Sequence, residues 1–252
     1  MFADQCQRLL RPSLRRCQLP DGDARPGQDP ATSGAVSCFA QPELVALEEV
    51  SVDGGKVPLQ TPEGEPCQWK DYKAVASEVA IVARYQQNDE LAEWVNQQPL
   101  ATPLTCLGDG HDGVWNLVGQ MGTDAERREV LDWYHLVENL NKVGGSMKRI
   151  NQAEALLWQG NVDAVLTLFE PLKKKAAKNF CQYLRKHRHR IINYDYYQRE
   201  QIGSIGSGAV ESGIKQISRR VKISGAQWKE DNVPQVLAHR CAYLNGMIGA
   251  QR

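Results

Sequence analysis

The sequence predicts an α/β fold with an inserted helical region, and three observations along the chain support this. Apolar and polar residues alternate in the stretch that begins near residue 45, which is the period of a β-strand. Strand-like and helix-like segments then follow one another as far as about residue 133. Beyond that point the periodicity is helical almost without interruption. This order of elements is expected for a sheet covered by helices, with further helices inserted before the last ones.

The first half of the chain is predicted to supply the strands. "LVALEEVSVDGGKVPLQTPEG" favours a hairpin with strands near 45–53 and 56–61, because Asp-Gly-Gly is a typical turn. "CQWKDYKAV" adds a third strand, "TPLTCLGDG" is a short apolar strand, and "RREVLDWYHL" is a strand that runs into a helix. "NDELAEWVNQQ" is predicted to be a helix capped by Asn88 or Asp89, and "HDGVWNLVGQMG" a second helix.

The second half is predicted to be helical. The expected helices cover residues 134–142, 146–159, 161–170, 173–189, 208–221 and 230–246. Residues 1–42 mix Pro, Arg, Cys and Gly without a period of 2 or 3.6, so we expect an irregular or disordered segment there. The predicted organisation is therefore this segment, followed by one domain over 43–252 with a helical insertion at about 143–203.

The composition excludes several classes of protein. The seven cysteines form no CxxC pair, so neither a zinc site nor a disulfide framework is expected. No apolar run has the length of a membrane span and no signal peptide is visible, so the sequence predicts a cytoplasmic protein without a membrane partner. Phosphate-loop, dinucleotide-binding and Ser-His-Asp hydrolase motifs are absent from the sequence.

Charge is distributed unevenly along a chain whose formal net charge is zero. Residues 1–140 hold 11 Lys and Arg against 22 Asp and Glu, whereas residues 141–252 hold 19 against 8. An acidic half followed by a basic half suggests a cation site beside a surface for polyanions. Two solvated faces that neutralise each other are the alternative.

Three acidic residues are candidates for a metal site. Asp53 and Asp109 are predicted to end apolar strands, and glycines beside each would let a ligand approach the backbone. Glu211 lies in "SGAVESGIKQI", where Ser207 can cap a helix and small residues can pack closely on a sheet. Such oxygen-rich sites favour Mg²⁺ or Mn²⁺. The alternatives are ordinary Asp-Gly turns and a solvated glutamate.

Four blocks of the chain resemble, in order, the DDE transposases of bacterial insertion sequences, which have a ribonuclease-H-like fold. The blocks are "SVDGGKVPLQTPEG", "CLGDGHDGVWNLV", "REVLDWYHLVENLNKVGG" and "SIGSGAVESGIKQI", the last followed by "RRVKISGAQW". The resemblance covers about residues 45–246. It implies a catalytic, metal-binding triad of Asp53, Asp109 and Glu211 that holds two Mg²⁺ or Mn²⁺ ions. Asp132 and His135 match an aspartate-plus-histidine signature that lies near the active site in related families.

The resemblance also implies partners and an activity. We expect cleavage of DNA at the ends of an element and strand transfer into target DNA, by a homo-oligomer. Members of the family carry a longer N-terminal region, so we expect a truncated copy, and "AVASEVAIVARYQ" looks short where further strands should lie. The alternatives are a DNA-binding remnant that interferes with intact transposase and a stand-alone ribonuclease-H-like nuclease.

Basic and aromatic residues are candidates for contacts with DNA. "KKKAAKNFCQYLRKHRHR" and the end of the Glu211 helix favour phosphate binding over the alternative of a solvated face. The DNA-binding residues predicted are Lys173, Lys174, Lys175, Lys178, Arg185, Lys186, Arg188, Arg190, Lys215, Arg219, Arg220 and Lys222. Trp133 and Trp228 could stack on bases, although a core position is favoured for each. For His111 and His135, helix capping or substrate contact is favoured over metal ligation.

Overall fold

A mixed five-stranded sheet forms the centre of the protein. The computed structural model describes residues 46–248, so the predicted irregular segment 1–42 lies outside the described residues. The strands are β1 (Leu47–Leu59), β2 (Gln68–Ser77), β3 (Ile81–Tyr85), β4 (Leu100–Gly108) and β5 (Arg127–Leu131). They lie in the order β3-β2-β1-β4-β5. The pairs β3–β2 and β2–β1 are antiparallel, and β4 and β5 extend the sheet in parallel with β1.

Nine α-helices occur in the described part of the chain. They are α1 (Asn88–Asn96), α2 (Asp112–Val118), α3 (Trp133–Val143), α4 (Met147–Trp158), α5 (Val162–Phe169), α6 (Lys175–Lys186), α7 (Tyr194–Arg199), α8 (Gly208–Val221) and α9 (Val233–Leu244). Helices α4 to α7 follow α3 without an intervening strand, in the region predicted to hold helices. The α/β class expected from the periodicity is confirmed.

The hairpin predicted at Asp53-Gly54-Gly55 is wrong. These residues continue β1 and pair with Ala74, Lys73 and Tyr72 of β2. The turn lies later, between Leu59 and Gln68. Gly55 serves packing, because a Cβ there would lie 2.3 Å from Cζ of the Tyr72 ring. Cross-strand contact has therefore overridden the turn preference of the local sequence.

Other differences concern single elements. "AVASEVAIVARYQ" forms the end of β2 and the whole of β3, so the expected shortfall of strands is not found. Helix α1 is present, but neither predicted residue caps it, since its N-cap is Gln87. The helix predicted over 173–189 ends at Lys186 and is followed by a 3₁₀ turn at Arg188–Arg190. Helix α7 was not predicted from the sequence.

Both faces of the sheet are covered by helices. On one face, Val50, Val52 and Val75 pack in an apolar cluster with residues of α1 to α7. On the other, Val57 and Ala74 pack with residues of α8 and α9. Adjacent residues of β2 thus face different clusters, as the alternation of side chains along a strand requires. No helix in residues 46–248 is long and apolar enough to cross a membrane.

Candidate metal centre and active site

Two aspartates lie side by side where two parallel strands stop pairing. Val52 of β1 and Gly108 of β4 are the last paired residues, and Asp53 and Asp109 follow them directly. Asp53 therefore lies within β1 rather than at its end, but at the end of its pairing with β4. The carboxyl edge of parallel strands is where functional groups gather in open α/β sheets.

Each of these carboxylates is oriented by a backbone group. Asp53 Oδ1 accepts a hydrogen bond from the Gly54 N–H at 2.6 Å, and Asp109 Oδ1 accepts one from the His111 N–H at 2.8 Å. His111 itself caps α2, because its Nδ1 accepts from the Gly113 N–H at 3.1 Å. The capping role favoured for His111 is thus confirmed.

Asp132 extends the same edge by one strand. Gly108 pairs with Leu131, the last residue of β5, and Asp132 follows directly. Asp132 is completely buried and is the N-cap of α3, where its Oδ1 accepts from the His135 N–H at 2.8 Å. Three neighbouring parallel strands therefore each lead into an aspartate at one edge of the sheet.

Asp132 also ties α8 to this edge. Its Oδ2 accepts a hydrogen bond from the Ser207 hydroxyl at 2.7 Å and a second, very short one from the Ser207 N–H. Burial alone would raise the pKa of Asp132, but the His135 ring and the bonds from Ser207 and the His135 N–H lower it to about 2. Ser207 occupies the predicted N-cap position of α8, yet its hydroxyl makes no capping bond to this helix.

Glu211 lies in the first turn of α8 and faces Asp132 and His135. One donor atom from each of Asp132, His135 and Glu211 lies within 4.8 Å of the other two, so this group could hold a metal ion. His135 Nδ1 is 3.2 Å from Asp132 Oδ1 and 3.9 Å from Glu211 Oε1. The sequence pointed to Asp132 and His135 only through the resemblance, as supporting residues.

His135 carries positive charge at the centre of the acidic group. Its interaction with Asp132 outweighs the effect of burial, and together with the charges of Asp109 and Glu211 it raises the pKa of His135 to about 9. Nδ1 makes no well-aligned hydrogen bond to any described residue, so the attraction is mainly electrostatic. His135 is therefore a built-in counter-ion for the carboxylates.

The predicted triad lies in one region, but its donor atoms are not as close together as those of Asp132, His135 and Glu211. Asp53, Asp109 and Glu211 do not all offer donor atoms within 4.8 Å of one another, since Asp132, His135 and Glu211 form the one such group among residues 46–248. Burial raises the pKa of Asp53, and the charge of Asp109 raises it further, so these two carboxylates repel each other. A shared two-metal site stays a prediction.

The close approach of α8 to the sheet occurs at a different residue from those predicted. Gly208, Ala209 and Ser212 are exposed, whereas Gly213 is buried against β3. A Cβ at Gly213 would lie 1.9 Å from the Ile81 Cδ1. The small residues near Glu211 therefore do not pack on the sheet, because the apolar face of α8 is turned away from them.

Most of the predicted DNA-binding residues at the end of α6 already have acidic partners. Arg185 pairs with Glu170, Lys186 with Asp112 and Arg188 with Asp163, while Arg190 Nε lies 2.6 Å from Glu129 Oε2. Within residues 46–248 no acid pairs with Lys173, Lys174, Lys175, Lys178, Arg219, Arg220 or Lys222. The available positive charge lies at the start of α6 and the end of α8.

Trp133 is buried, and Trp228 is half-buried. Trp133 packs against Trp158 with ring centroids 4.8 Å apart. The Trp228 indole donates its N–H to the Val221 carbonyl at 2.9 Å. The core position favoured as the alternative is confirmed for Trp133.

The sequence reasoning missed Tyr183, an aromatic residue of α6 that lies beside the Asp109 loop. A Cβ on Gly110 would lie 2.3 Å from the Tyr183 Cε2, so this glycine admits the ring. The charge of Asp109 adds to burial in raising the pKa of Tyr183. The glycine after Asp109 was the visible signal, but it did not indicate which residue would occupy the space.

Comparison with known proteins does not place the chain in a family. No protein-family model matches this sequence, and no curated protein matches it.

Proposed function

We propose that this chain contains the catalytic domain of a DDE-type DNA transposase, which cleaves and joins DNA strands with the help of divalent cations. The mixed sheet with helices on both faces is compatible with a ribonuclease-H-like core. One observation carries the proposal. Asp53, Asp109 and Asp132 each follow the last paired residue of adjacent parallel strands, and Glu211 lies beside Asp132 on a helix. Four carboxylates in one region are costly unless cations or partners neutralise them.

The donor chemistry of the predicted triad suits Mg²⁺ or Mn²⁺. Asp53, Asp109 and Glu211 offer carboxylate oxygens, the donors that these ions prefer. Each aspartate uses only one carboxylate oxygen in a hydrogen bond to a described residue. Two such ions, when bound, supply Lewis-acid stabilisation of the charge that develops during phosphodiester cleavage. Burial and then the charge of Asp109 raise the pKa of Asp53, and a bound cation would offset both effects.

The protein's own residues give this site rigidity and a charge balance. Asp53 and Asp109 are held by strands in a shared register, which limits their movement. Glu211 is held through α8, whose start is fixed by the bonds between Ser207 and Asp132. The Asp132 carboxylate, followed by the charges of Asp109 and Glu211, raises the pKa of His135 to about 9, so without a bound cation the ring is a positive counter-ion for the carboxylates.

The test is a strand-transfer assay with the full chain. The substrates are duplex oligonucleotides that carry the DNA sequences on either side of the gene, with a supercoiled plasmid as target and Mg²⁺ or Mn²⁺ in the buffer. We expect cut ends and joined products that disappear with chelator. Asp109→Asn and Glu211→Gln should reduce both products to background. Glu138→Gln is the matched control, since this carboxylate is exposed on α3 and pairs with Lys142.

The outcomes separate the alternatives. Cutting without joining would identify a ribonuclease-H-like nuclease. Binding of the ends without either product, together with inhibition of an active transposase, would identify an interfering remnant. Products that persist in Asp109→Asn would contradict the assignment of the acidic site.

A further inference from the structure

An exposed tryptophan lies at the far end of α8 from the acidic site. Trp69, near the start of β2, is 50% exposed, although tryptophan is usually largely covered. The Lys222 Nζ lies 5.8 Å from the centroid of its ring, and Ile223 beside it is 48% exposed. The lysine lies over one face of the indole, and an exposed indole next to a cation suits a flat partner that stacks on the ring.

Helix α8 connects this tryptophan with the acidic site. Residues four, seven and eleven positions apart share one stripe of a helix, so Glu211, Lys215, Ser218 and Lys222 are aligned. The opposite face, with Val210, Ile217 and Val221, is buried against the sheet, and this holds the stripe outward. From Glu211 to Lys222 the helix rises by roughly 16 Å, enough to follow several nucleotides of one strand.

The stripe carries positive charge that is available to a partner. Lys222, and Arg219 at the border of the stripe four positions after Lys215, have no acidic partner within residues 46–248. The Lys215 Nζ lies 3.3 Å from Glu211 Oε2, in a pair whose lysine side chain is 73% exposed. Basic groups at intervals beside an exposed aromatic ring form the combination that binds single strands of nucleic acid, with phosphates on the cations and a base on the ring.

We propose that Lys215, Arg219, Lys222 and Trp69, here named the α8 track, bind one nucleic-acid strand that leads away from the acidic site. The three cations contact its phosphates, and an unpaired base stacks on Trp69. This inference rests on the proposed function, because a DNA strand bound at the acidic site would start beside Glu211. A paired duplex would hide the faces of its bases, so the exposed indole favours an unpaired nucleotide at this point.

The test measures binding of the full chain to a fluorescent 12-nucleotide oligothymidine, at low salt with chelator present. Trp69→Ala should weaken binding roughly tenfold, since stacking on an aromatic side chain contributes about that much per base. Trp69→Phe should stay close to the unmodified chain because it keeps an aromatic face. Lys222→Gln should weaken binding and reduce the slope of log affinity against log salt by about 0.7.

The matched control is Tyr243→Ala on α9. Tyr243 is 54% exposed and the Arg240 guanidinium lies 4.8 Å from its ring centroid, so it is a second exposed ring beside a cation. The Tyr243→Ala variant should bind the oligonucleotide with the same affinity as the unmodified chain. Equal losses in Trp69→Ala and Tyr243→Ala, or an unmodified chain that does not bind, would overturn the proposal. An oligouridine of the same length tests whether the strand is DNA or RNA, and binding confined to either still supports the track.

Self-association is the other outcome to examine, because Trp69 and Ile223 are partly apolar. Sedimentation that shows a dimer lost in Trp69→Ala, with unchanged oligonucleotide binding, would assign the surface to a second copy and overturn the proposal. The binding assay contains no divalent cation and no reaction. If the unmodified chain shows no strand transfer but its oligonucleotide binding depends on Trp69, the proposed function alone is rejected. If the unmodified chain performs strand transfer but Trp69→Ala binds the oligonucleotide as well as it does, the α8 track alone is rejected.

Discussion

At the scale of single residues, Asp132 has the most connected side chain of the site. It caps α3 through the His135 N–H, and it accepts two hydrogen bonds from Ser207, 75 positions further along the chain. A carboxylate that is completely buried and ionised depends on these donors, because each replaces a hydrogen bond to water. Asp132 therefore supports the site by joining two helices, in addition to any contact with a metal ion.

We expect Asp132→Ala to destabilise the fold strongly. The change removes a helix cap and leaves the Ser207 donors buried without a partner, which together cost about 2–4 kcal/mol. The melting temperature should fall by roughly 5–15 °C for a domain of this size. Asp71→Ala is the control, since Asp71 is 73% exposed and lies 3.9 Å from Lys56. A thermal melt that is unchanged in Asp132→Ala would show that the joint is not needed for stability.

Protonation of a second residue, the buried His187, makes the stability of the fold depend on pH. His187 is completely buried between Trp115 and Tyr183, and burial, followed by the positive charges of Arg190 and Lys186, lowers its pKa to about 4. An unfolded histidine has a pKa near 6.5, so the unfolded chain binds more protons between these values. The contribution of neutral His187 to the free energy of unfolding is complete above about pH 6.5. It is lost as the pH falls towards 4, by at most ~1.4 kcal/mol per pH unit.

The measurement is urea denaturation between pH 4 and pH 7. His187→Phe should show a shallower loss of stability on acidification than the unmodified chain. His239→Phe changes an exposed histidine of α9 and should retain the original slope. Identical slopes in all three proteins would mean that His187 is not held in its neutral form.

At the scale of elements, β1 shows how packing decides between a turn and a strand. Asp-Gly-Gly favours a turn when its sequence is taken alone. In the sheet, Gly55 is opposite Tyr72 and its missing side chain leaves room for that ring. The strand therefore continues to Leu59, and Asp53 takes its position from the pairing of β1 with β4.

Gly55→Ala and Gly54→Ala form a matched pair that tests this account. A Cβ at Gly55 would meet the Tyr72 ring at 2.3 Å, whereas at Gly54 the nearest atom is the flexible end of Lys73 at 3.0 Å. Overpacking against a buried ring should cost about 1–3 kcal/mol, and Gly54→Ala should cost less than about 1 kcal/mol. Chemical denaturation distinguishes the two, and equal effects would argue against a packing role for Gly55.

At the scale of the whole molecule, the excess of basic residues in the second half is less available than the count suggests. Four of the eight Lys and Arg between residues 173 and 190 are paired with acids, and two of those partners, Asp112 and Glu129, come from the acidic half. Part of the charge imbalance is thus used inside the fold, to hold the helices of the inserted region against β5 and α2.

We therefore expect duplex DNA binding to depend on unpaired lysines. Lys173, Lys175 and Lys178 changed together to Gln should reduce the slope of log affinity against log salt by roughly 2–3, since each phosphate contact contributes about 0.9. Arg185 and Arg188 changed together to Gln should reduce it by less than about 1, because these side chains already pair with Glu170 and Asp163. Binding that does not change with salt would show that the basic residues only solvate the surface.

The sequence by itself determined the class of fold, most of the helices and the position of Asp109 directly after a strand. These follow from local periodicity, because a strand or helix that buries one face must repeat its apolar residues with a fixed spacing. Asp109 and the strand that precedes it illustrate this, since "PLTCLGDG" alone specifies a buried strand followed by a glycine-flanked acid.

Only the tertiary structure decided which groups meet. Asp132 and Ser207 are distant in sequence, Gly55 is matched to a ring on another strand, and Trp69 instead of Trp133 or Trp228 is exposed. Four basic residues between Arg185 and Arg190 also proved to be paired with acids from other elements. These outcomes depend on long-range packing and charge pairing, which arise from the faces that elements turn toward each other and leave no mark in the period of any one segment.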